Sequence, residues 1–230
     1  MKVGIAGYGV VGKKRHHSIS KNTNFEVIAV SDSNAELRKD IPSEIKFYDS
    51  YEELIVHSNI DIVFISLPNK FTADAVSLGL ENSLHVFCEK PPSRSLSELM
   101  SVKETFKKYP FLKLMYGFNH RFHLSIEEAK AIIDKGTFGK IINMKGVYGK
   151  SRMISFNQTD WRTKRDQSGG GILLDQGIHM LDLMRYLSNE NFSEIFSIID
   201  NAFWNFDVED NVYVLMKSPK GTVAQLHSSA

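Results

Sequence analysis

Apolar positions in the first half of the chain form short continuous runs that alternate with segments of helical spacing. The runs lack the two-residue alternation of half-exposed strands, which is typical of strands covered on both faces. The segments between them carry apolar residues at three- and four-residue steps, as amphipathic helices do. This alternation predicts a doubly wound parallel sheet of roughly six strands. The predicted strands include 2–7, 25–32, 61–67, 84–90 and 112–118, and the helices are 50–58, 69–82 and 96–108.

The pattern changes after residue 118. A helix is predicted over 123–136 and a strand over 140–149, followed by a polar loop and a helix that opens near Gly171. Three β-rich runs close the chain at 195–199, 211–216 and 221–227, and the tight turn before the last indicates an antiparallel hairpin. We therefore predict a nucleotide-binding domain over residues 1–118 and a second α/β domain with a mixed, largely antiparallel open sheet over residues 119–230.

Composition limits the classes of function. The formal net charge of +1 gives no indication of nucleic acid or an acidic membrane surface as a partner, and we interpret the basic run 13–16 as a solvated helix face. The one cysteine, Cys88, excludes a disulfide framework and fits a reducing cytosol. The apolar runs are all shorter than the about 18 residues that a membrane span needs. We predict a soluble cytoplasmic protein.

A glycine-rich segment follows the first predicted strand and opens a helix. In GYGVVG (7–12) the glycines have the GxGxxG spacing, which permits a tight turn, a close approach of the backbone to a pyrophosphate and close helix–strand packing. Asp32 ends the second strand, twenty residues after Gly12, where an acid that binds the ribose is expected. The alternatives are a turn that serves packing alone and Asp32 as a helix N-cap. The predicted cofactor-binding residues of this region are Gly7, Gly9, Val10, Val11, Gly12 and Asp32.

Asp32 also indicates which dinucleotide binds. A carboxylate accepts hydrogen bonds from the ribose hydroxyls of NAD but repels the 2′-phosphate of NADP, and no arginine directly follows Asp32. We predict NAD, with NADP less favoured. Lys90, in the CEKPP segment at the carboxyl end of a strand, is expected to face the nicotinamide; the alternative is a lysine that merely extends from a strand end.

The segment GGGILLDQGIHMLD (169–182) places ionisable groups in an apolar helix. Asp175, His179 and Asp182 are four and three residues apart and are predicted to share one helix face, with the glycines letting the loop pass close to a ligand. A histidine near a carboxylate is a natural proton acceptor for an alcohol that is being oxidised. The alternatives are a core histidine satisfied by Asp182 and a metal site on Asp175 and His179. We predict no metal, because no third ligand is evident.

Four segments taken together resemble the glucose–fructose oxidoreductase/inositol dehydrogenase/MocA (GFO/IDH/MocA) family: GYGVVG, EKP (89–91), GFNHRF (117–122) and the glycine-led helix. The resemblance implies a Rossmann domain followed by a substrate domain. It implies Lys90, Asp175 and His179 as the catalytic group, and oxidation or reduction of a carbinol carbon of a sugar, inositol or sugar nucleotide. Further candidates are Pro68, Asn69, Glu89 and Lys90 for the cofactor, and Lys90, Arg121, Arg162, Asp175 and His179 for the substrate; a surface ion pair is the alternative for Arg162.

The chain departs from the family pattern in two places. Thr72 stands where the family often has a histidine near the cofactor. Family members are usually longer, so we expect further strands beyond Ala230 and a sheet whose uncovered apolar face mediates homo-oligomers. The residues expected on that face are Val212, Val214, Leu215, Val223 and Leu226.

The sequence leaves more than one function open. The favoured function is an NAD-dependent oxidoreductase acting on CH–OH groups. The alternatives are an NAD-dependent glycosidase of the same fold, which oxidises its substrate only transiently, and a cofactor-binding sensor or partner subunit that never turns over. Retention of Lys90, Asp175 and His179 argues against the sensor, because a sensor needs only the nucleotide half.

Overall fold

The computed structural model describes residues 1–150 and 161–230. Most of the polar loop predicted after residue 149 falls at 151–160, outside the described residues. The chain divides into two compact units, Met1–Gly117 and Phe118–Ala230.

The N-terminal unit contains a six-stranded parallel sheet in the order β3-β2-β1-β4-β5-β6. This confirms the predicted doubly wound sheet. The third strand was not predicted, because its residues, KFY, do not form an apolar run. In chain order the elements are β1 (Lys2–Ala6), α1 (Val10–Ile19), β2 (Glu26–Ser31), β3 (Lys46–Tyr48), α2 (Tyr51–His57), β4 (Ile62–Ile65), α3 (Asn69–Glu81), β5 (His85–Cys88), α4 (Leu96–Lys107) and β6 (Leu114–Tyr116), with a 3₁₀ helix at Ala35–Asp40.

Helices cover both faces of this sheet, which explains why its strands are continuously apolar. Val63 and Ile65 of β4 pack in one buried cluster with residues of α2, α3 and α4. Val3 and Ile5 of β1 belong to a second cluster that includes Ile19 at the end of α1. Burial on both sides favours apolar residues at successive strand positions, so the two-residue alternation is lost.

The C-terminal unit contains a mixed four-stranded sheet in the order β7-β10-β9-β8. Strand β10 runs parallel to β7 and antiparallel to β9, and β9 runs antiparallel to β8. The predicted mixed, largely antiparallel sheet is confirmed. Its elements are α5 (Leu124–Asp134), β7 (Asn143–Gly149), α6 (Arg165–Ser168), α7 (Ile178–Ser188), β8 (Glu194–Asp200), β9 (Asn211–Lys217) and β10 (Val223–Ser229), with 3₁₀ helices at Asn119–Phe122 and Trp161–Thr163 and a π-helix at Leu173–Gly177.

One face of this sheet is covered and the other is exposed. Val212, Val214 and Leu226 are buried in a cluster with Met184 of α7, so the prediction that they lie on an uncovered face is wrong. Buried and more exposed side chains alternate along β9 and β10. Leu215 and Val223 are among the exposed residues on the face opposite the buried cluster. Every residue of β8 is exposed. Among the described helices, none is long and apolar enough to cross a membrane.

Candidate active site

The glycine-rich segment between β1 and α1 contains two glycines that the fold itself requires. Gly7 has φ +86°, and a Cβ there would lie 2.6 Å from the carbonyl oxygen of Ser66. A Cβ on Gly12 would lie 2.1 Å from the carbonyl oxygen of Gly7. Gly9 differs, because it is exposed and a Cβ there would meet nothing within 4 Å. Packing therefore explains Gly7 and Gly12 but not Gly9, which favours the predicted approach of a ligand to the backbone at Gly9.

The start of α1 has the character of an anion site. Gly9 is the N-cap residue and makes no side-chain capping hydrogen bond, and the first turn holds no acidic residue. Val10 is 73% exposed and Val11 is also exposed, although both are apolar. Free N–H groups and the partial positive charge of a helix N-terminus attract phosphate groups.

Asp32 is placed beside this segment by the end of β2. Its carboxylate accepts hydrogen bonds from the backbone N–H of Tyr8 at 2.8 Å and of Asn34 at 2.9 Å. The 3₁₀ helix that follows is capped by Asn34, whose side chain accepts from Glu36 N–H at 3.1 Å. The cap is therefore not Asp32. A carboxylate offers about four lone-pair sites, so two bonds leave acceptors for ribose hydroxyls.

Of the basic run 13–16, only the first two residues form a solvated helix face. Lys13 and Lys14 are exposed, but Arg15 donates from Nε to Glu89 Oε1 at 2.6 Å, and its guanidinium lies 5.0 Å from the Phe87 ring centroid. His16 Nδ1 is hydrogen-bonded to the buried Tyr8 hydroxyl, and burial lowers the pKa of His16 and raises that of Tyr8. The interpretation as a solvated face is wrong for these two residues. The signal was available, since they lie three and four residues after the buried Gly12.

The remaining cofactor candidates lie after β4 and β5. Pro68 is the N-cap of α3, and the buried Asn69 is its first residue. Thr72, where the family often has a histidine, is buried and donates its hydroxyl to the Asn69 carbonyl at 2.8 Å. Lys90 is half-buried, two residues after β5, and its bond to Pro91 is cis. The structure thus brings the cofactor candidates to the carboxyl ends of β1, β2, β4 and β5, the edge where such sheets bind ligands.

In the C-terminal unit, the glycine triplet fits against the protein's own chain. Gly169 has φ +84° and ends α6. A Cβ on Gly171 would lie 1.9 Å from the carbonyl oxygen of Glu209, and Gly171 N–H donates to Glu209 Oε1 at 2.8 Å. We expected the close approach at these glycines to be to a ligand. At Gly171 it is to the backbone at Glu209.

The helix that follows begins with a wide turn. Residues Leu173–Gly177 form a π-helix, and α7 starts only at Ile178, so the prediction of an α-helix from Gly171 is wrong in its first turn. Asp175 lies in the π-turn, half-buried, and its carboxylate accepts from the Gln176 side chain at 2.7 Å. A Cβ on Gly177 would lie 2.6 Å from Ser228 Oγ, so the glycine lets this turn press against β10. Single π-turns inside helices are frequent at functional sites.

His179 is 5% exposed and lies among aromatic rings. Its ring centroid is 4.1 Å from that of His120, 6.0 Å from Tyr148 and 6.3 Å from Phe118. Asp182, which we had considered as a partner of His179, is paired instead with Arg121, which donates to it from Nε at 2.7 Å and also from Nη2. His120 and Tyr148 were missed by sequence reasoning; the only signal was that His120 lies in GFNHRF.

The two arginine candidates have partners within the C-terminal unit. Hydrogen bonds to Asp182 raise the pKa of Arg121 against the opposing effect of burial, and its guanidinium lies 4.9 Å from the Tyr186 ring centroid. The Arg162 guanidinium lies 4.4 Å from the Trp161 ring centroid. In the described part of the chain, no group of three or more His, Cys, Asp or Glu side chains is arranged to hold a metal ion.

Two family models match this chain, and curated relatives match it over its whole length. Residues 1–118 match the family model for the oxidoreductase family, NAD-binding Rossmann fold, and residues 126–230 match the model for the GFO/IDH/MocA C-terminal domain. The chain is 27% identical to D-glucoside 3-dehydrogenase of Escherichia coli, covering 100% of this chain and 70% of that protein. It is 25% identical to myo-inositol 2-dehydrogenase of Thermotoga maritima, covering 100% of this chain and 68% of that protein.

A solved structure shows the same fold. The crystal structure of myo-inositol 2-dehydrogenase from Lactobacillus plantarum matches with a TM-score of 0.88 and 27% identity, covering 100% of this chain and 70% of that one. The chain spans about two thirds of the length of the curated relatives it matches.

Proposed function

Because the chain belongs to the GFO/IDH/MocA family and its N-terminal unit is that family's NAD-binding Rossmann fold, we propose that it is an NAD-dependent oxidoreductase. The proposed reaction interconverts a CH–OH group and a ketone on a sugar, an inositol or a sugar nucleotide. The observation that carries the proposal is His179, a buried histidine four residues from Asp175 at the junction of a π-turn and α7. Curated relatives named as dehydrogenases of D-glucosides and of myo-inositol support this substrate class.

Each chemical role is assigned to a residue type suited to it. When bound, NAD supplies the acceptor for the hydride. His179 takes the hydroxyl proton, since imidazole has an unperturbed pKa of about 6.5, close to the working pH. Lys90 stabilises negative charge that develops on the substrate oxygen. Asp175 binds a neighbouring hydroxyl or orients the substrate.

The cofactor is held by the carboxyl edge of the parallel sheet. Gly9 and the N–H groups that open α1 take the pyrophosphate, and Asp32 takes the adenosine ribose and favours NAD over NADP. The remaining contacts with the cofactor are assigned to Val10, Val11, Pro68 and Asn69. Glu89 is already bound to Arg15, so we assign it to holding the EKP segment and Lys90 in place.

The arginines of the C-terminal unit differ in their assignment. Arg121 is committed to Asp182, so we assign it to the support of the 3₁₀ helix at Asn119–Phe122 rather than to direct contact with substrate. Arg162 is half-buried over Trp161 and is the candidate for binding an anionic group on the substrate.

A substrate screen with variants tests the proposal. The purified protein is incubated with NAD and a panel of sugars, inositols and nucleotide sugars, and NADH absorbance is recorded. We expect turnover on at least one polyol and a loss of about 10²-fold or more in Lys90→Ala and in His179→Ala with NAD affinity unchanged. Asp175→Asn should lose less than His179→Ala. Thr163→Ser, a mild change in the same unit, serves as the control.

Other outcomes of the screen point to the other functions. Release of product from a glycoside without accumulation of NADH would indicate the glycosidase. Cofactor binding with no turnover on any member of the panel would indicate the sensor and overturn the proposal.

We infer further that copies of the chain associate through the outward face of the C-terminal sheet, in the cytoplasm. Leu215 is 51% exposed, and the exposed Phe196 and Ile198 of β8 pair with Leu215 and Tyr213 on the same face. A contiguous exposed apolar patch of this kind is typical of a protein–protein interface. The single cysteine is buried and free, which suits a reducing compartment. Light scattering of wild type and of Leu215→Lys tests the association; a wild-type monomer at micromolar concentration would contradict it.

A further inference from the structure

We infer that His120 is a positioning residue that controls the protonation of His179 by ring stacking. The inference rests on the proposed role of His179 as proton acceptor and assigns a task to the histidine of the GFNHRF segment. It is carried by the geometry of three side chains within the C-terminal unit, His120, Tyr148 and His179.

The two imidazole rings are in close, tilted contact, and we refer to this contact as the stack. Their centroids are 4.1 Å apart and their planes are inclined by 34°. Tyr148 extends the arrangement, since its ring is 22° from the plane of His179 and its hydroxyl lies 3.3 Å from His120 Nε2. The His120 ring therefore contacts both His179, the proposed proton acceptor, and the hydroxyl group of Tyr148.

The stack is held in register by an ion pair next to it. Arg121 follows His120 in the 3₁₀ helix at Asn119–Phe122, and Asp182 lies three residues after His179 on α7. Arg121 donates two hydrogen bonds to Asp182 and so fixes the 3₁₀ helix to α7. The neighbouring residue, His120, contacts His179 of the same helix α7. The pair and the stack are adjacent contacts between the same two elements.

Two imidazolium charges at this separation repel strongly in a buried setting. The pair therefore binds its second proton only at a lower pH than its first, and it titrates as a unit. If one ring carries the proton, the other stays neutral. A proton that His179 takes from the substrate is accepted while His120 remains neutral, hydrogen-bonded to Tyr148. The ionisable rings of His120 and Tyr148 contact His179. Asp182 follows His179 by three residues and is paired with Arg121, Asp175 precedes it by four residues, and His123 contacts His120.

Nuclear magnetic resonance titration of the histidine ring protons tests the inference without any need for turnover. We expect a broadened or two-step curve for His179 in the wild type and a single-step curve in His120→Phe, which keeps a flat ring and removes the second charge. His123→Phe is the matched control, since His123 lies 5.5 Å from His120 in an edge contact and should leave the curve unchanged. Identical single-step curves for His179 in wild type and His120→Phe would overturn the inference.

Kinetics provide a second readout. In an active enzyme, His120→Ala should lower kcat about tenfold with little change in KM for NAD, and His120→Phe should restore most of that loss above neutral pH. A protein that shows the coupled titration but no dehydrogenase activity would refute the proposed function and leave the stack standing. Equal kcat values for wild type and His120→Ala in an active enzyme would refute the positioning role alone.

Discussion

Arg121 and Asp182 are 61 residues apart in sequence and are joined by two hydrogen bonds, from Nε and Nη2 of the guanidinium to the two carboxylate oxygens. The carboxylate is almost completely buried, whereas the arginine is partly exposed. The pair gives the GFNHRF segment a structural task, because it ties the segment to the helix that carries His179.

Removal of one partner of this pair should destabilise the C-terminal unit. Arg121→Ala leaves Asp182 buried without its counter-charge, and the expected loss is about 3 kcal/mol in the free energy of unfolding. The double variant Arg121→Met/Asp182→Leu should recover most of the loss, because no buried charge remains. Urea unfolding of wild type, Arg121→Met, Asp182→Leu and the double variant gives the coupling; single variants within about 0.5 kcal/mol of wild type would show the pair to be unimportant.

Gly9→Ala should weaken NAD binding without changing the stability of the fold. The backbone at Gly9 has φ −71°, which alanine adopts readily, and its Cβ would meet no protein atom within 4 Å. We expect an unchanged melting temperature and an NAD affinity lower by about tenfold or more, equivalent to about 1.4 kcal/mol. Gly149→Ala is the control, because Gly149 is also exposed and its Cβ would make only an ordinary contact, 3.8 Å from the carbonyl oxygen of Ser229. Unchanged NAD binding in Gly9→Ala would exclude close approach of the pyrophosphate there.

Asp32→Asn should narrow the preference for NAD over NADP. Asparagine keeps a side-chain oxygen for the N–H of Tyr8 or Asn34 but removes the charge that repels a 2′-phosphate. Asp32→Ala removes the hydrogen bonds as well, so comparison of the two separates charge from loop support. Titration of both dinucleotides against wild type and the two variants gives the ratios. A wild-type preference for NADP would refute the assignment.

Gly177→Ala should destabilise the π-turn through overpacking. Its Cβ would lie 2.6 Å from Ser228 Oγ and 2.9 Å from Leu173 Cδ1, and overpacking of this kind costs about 1–3 kcal/mol. Ser228→Ala removes the nearer atom, which has no hydrogen-bond partner among the described residues. The double variant should therefore be more stable in urea than Gly177→Ala alone. Equal stability of the single and double variants would locate the strain elsewhere.

Asp210 should make the stability of the C-terminal unit depend on acid pH. Burial alone would raise its pKa, but the backbone N–H groups of Trp204, Ala202 and Phe203 bind the carboxylate and lower it overall. The unfolded chain then binds this proton more readily than the folded one, so the stabilisation is present above the unfolded pKa of about 3.9 and is lost as pH falls through the folded value.

Urea unfolding between pH 2 and 7 measures this dependence. Asp210→Asn should flatten the acid side of the stability curve and lower stability at neutral pH. Glu44→Gln, at an exposed position, should leave the curve unchanged. An acid dependence as steep in Asp210→Asn as in wild type would assign the effect to other carboxylates.

The local sequence pattern was sufficient to predict the family and both sheets, and these predictions are confirmed. Buried parallel strands and glycine spacing can be recognised from residues that are consecutive in the sequence. It failed where the partner is distant in sequence. The Arg15–Glu89 and Arg121–Asp182 pairs join residues 74 and 61 positions apart, and no spacing rule encodes them. Each pair also includes a residue that the sequence predicted to bind a ligand, which is Glu89 for the cofactor and Arg121 for the substrate.

Two other errors have a geometric origin. The expectation that Val212, Val214 and Leu215 share one face neglected the alternation of side chains along β9. Val212 and Val214 lie on the face that α7 covers, and Leu215 lies on the other. Within the π-turn at Leu173–Gly177, Gly177 lies close to Ser228 of β10. Four-residue spacing between Asp175 and His179 does not distinguish such a turn from an α-helix. The roles of these residues stay predictions.

Strand β8 has exposed side chains on both faces, and the buried cluster of the C-terminal unit includes residues of β9 and β10 but none of β8. Besides the exposed ion pair of Glu194 with Lys217, backbone hydrogen bonds to one neighbour, β9, attach it to the sheet. A strand tied in this way opens at a free energy well below that of global unfolding. Its amide protons exchange with solvent ahead of those in the inner strands, and the outer edge of the sheet is the part of the fold most ready to accept a new neighbour.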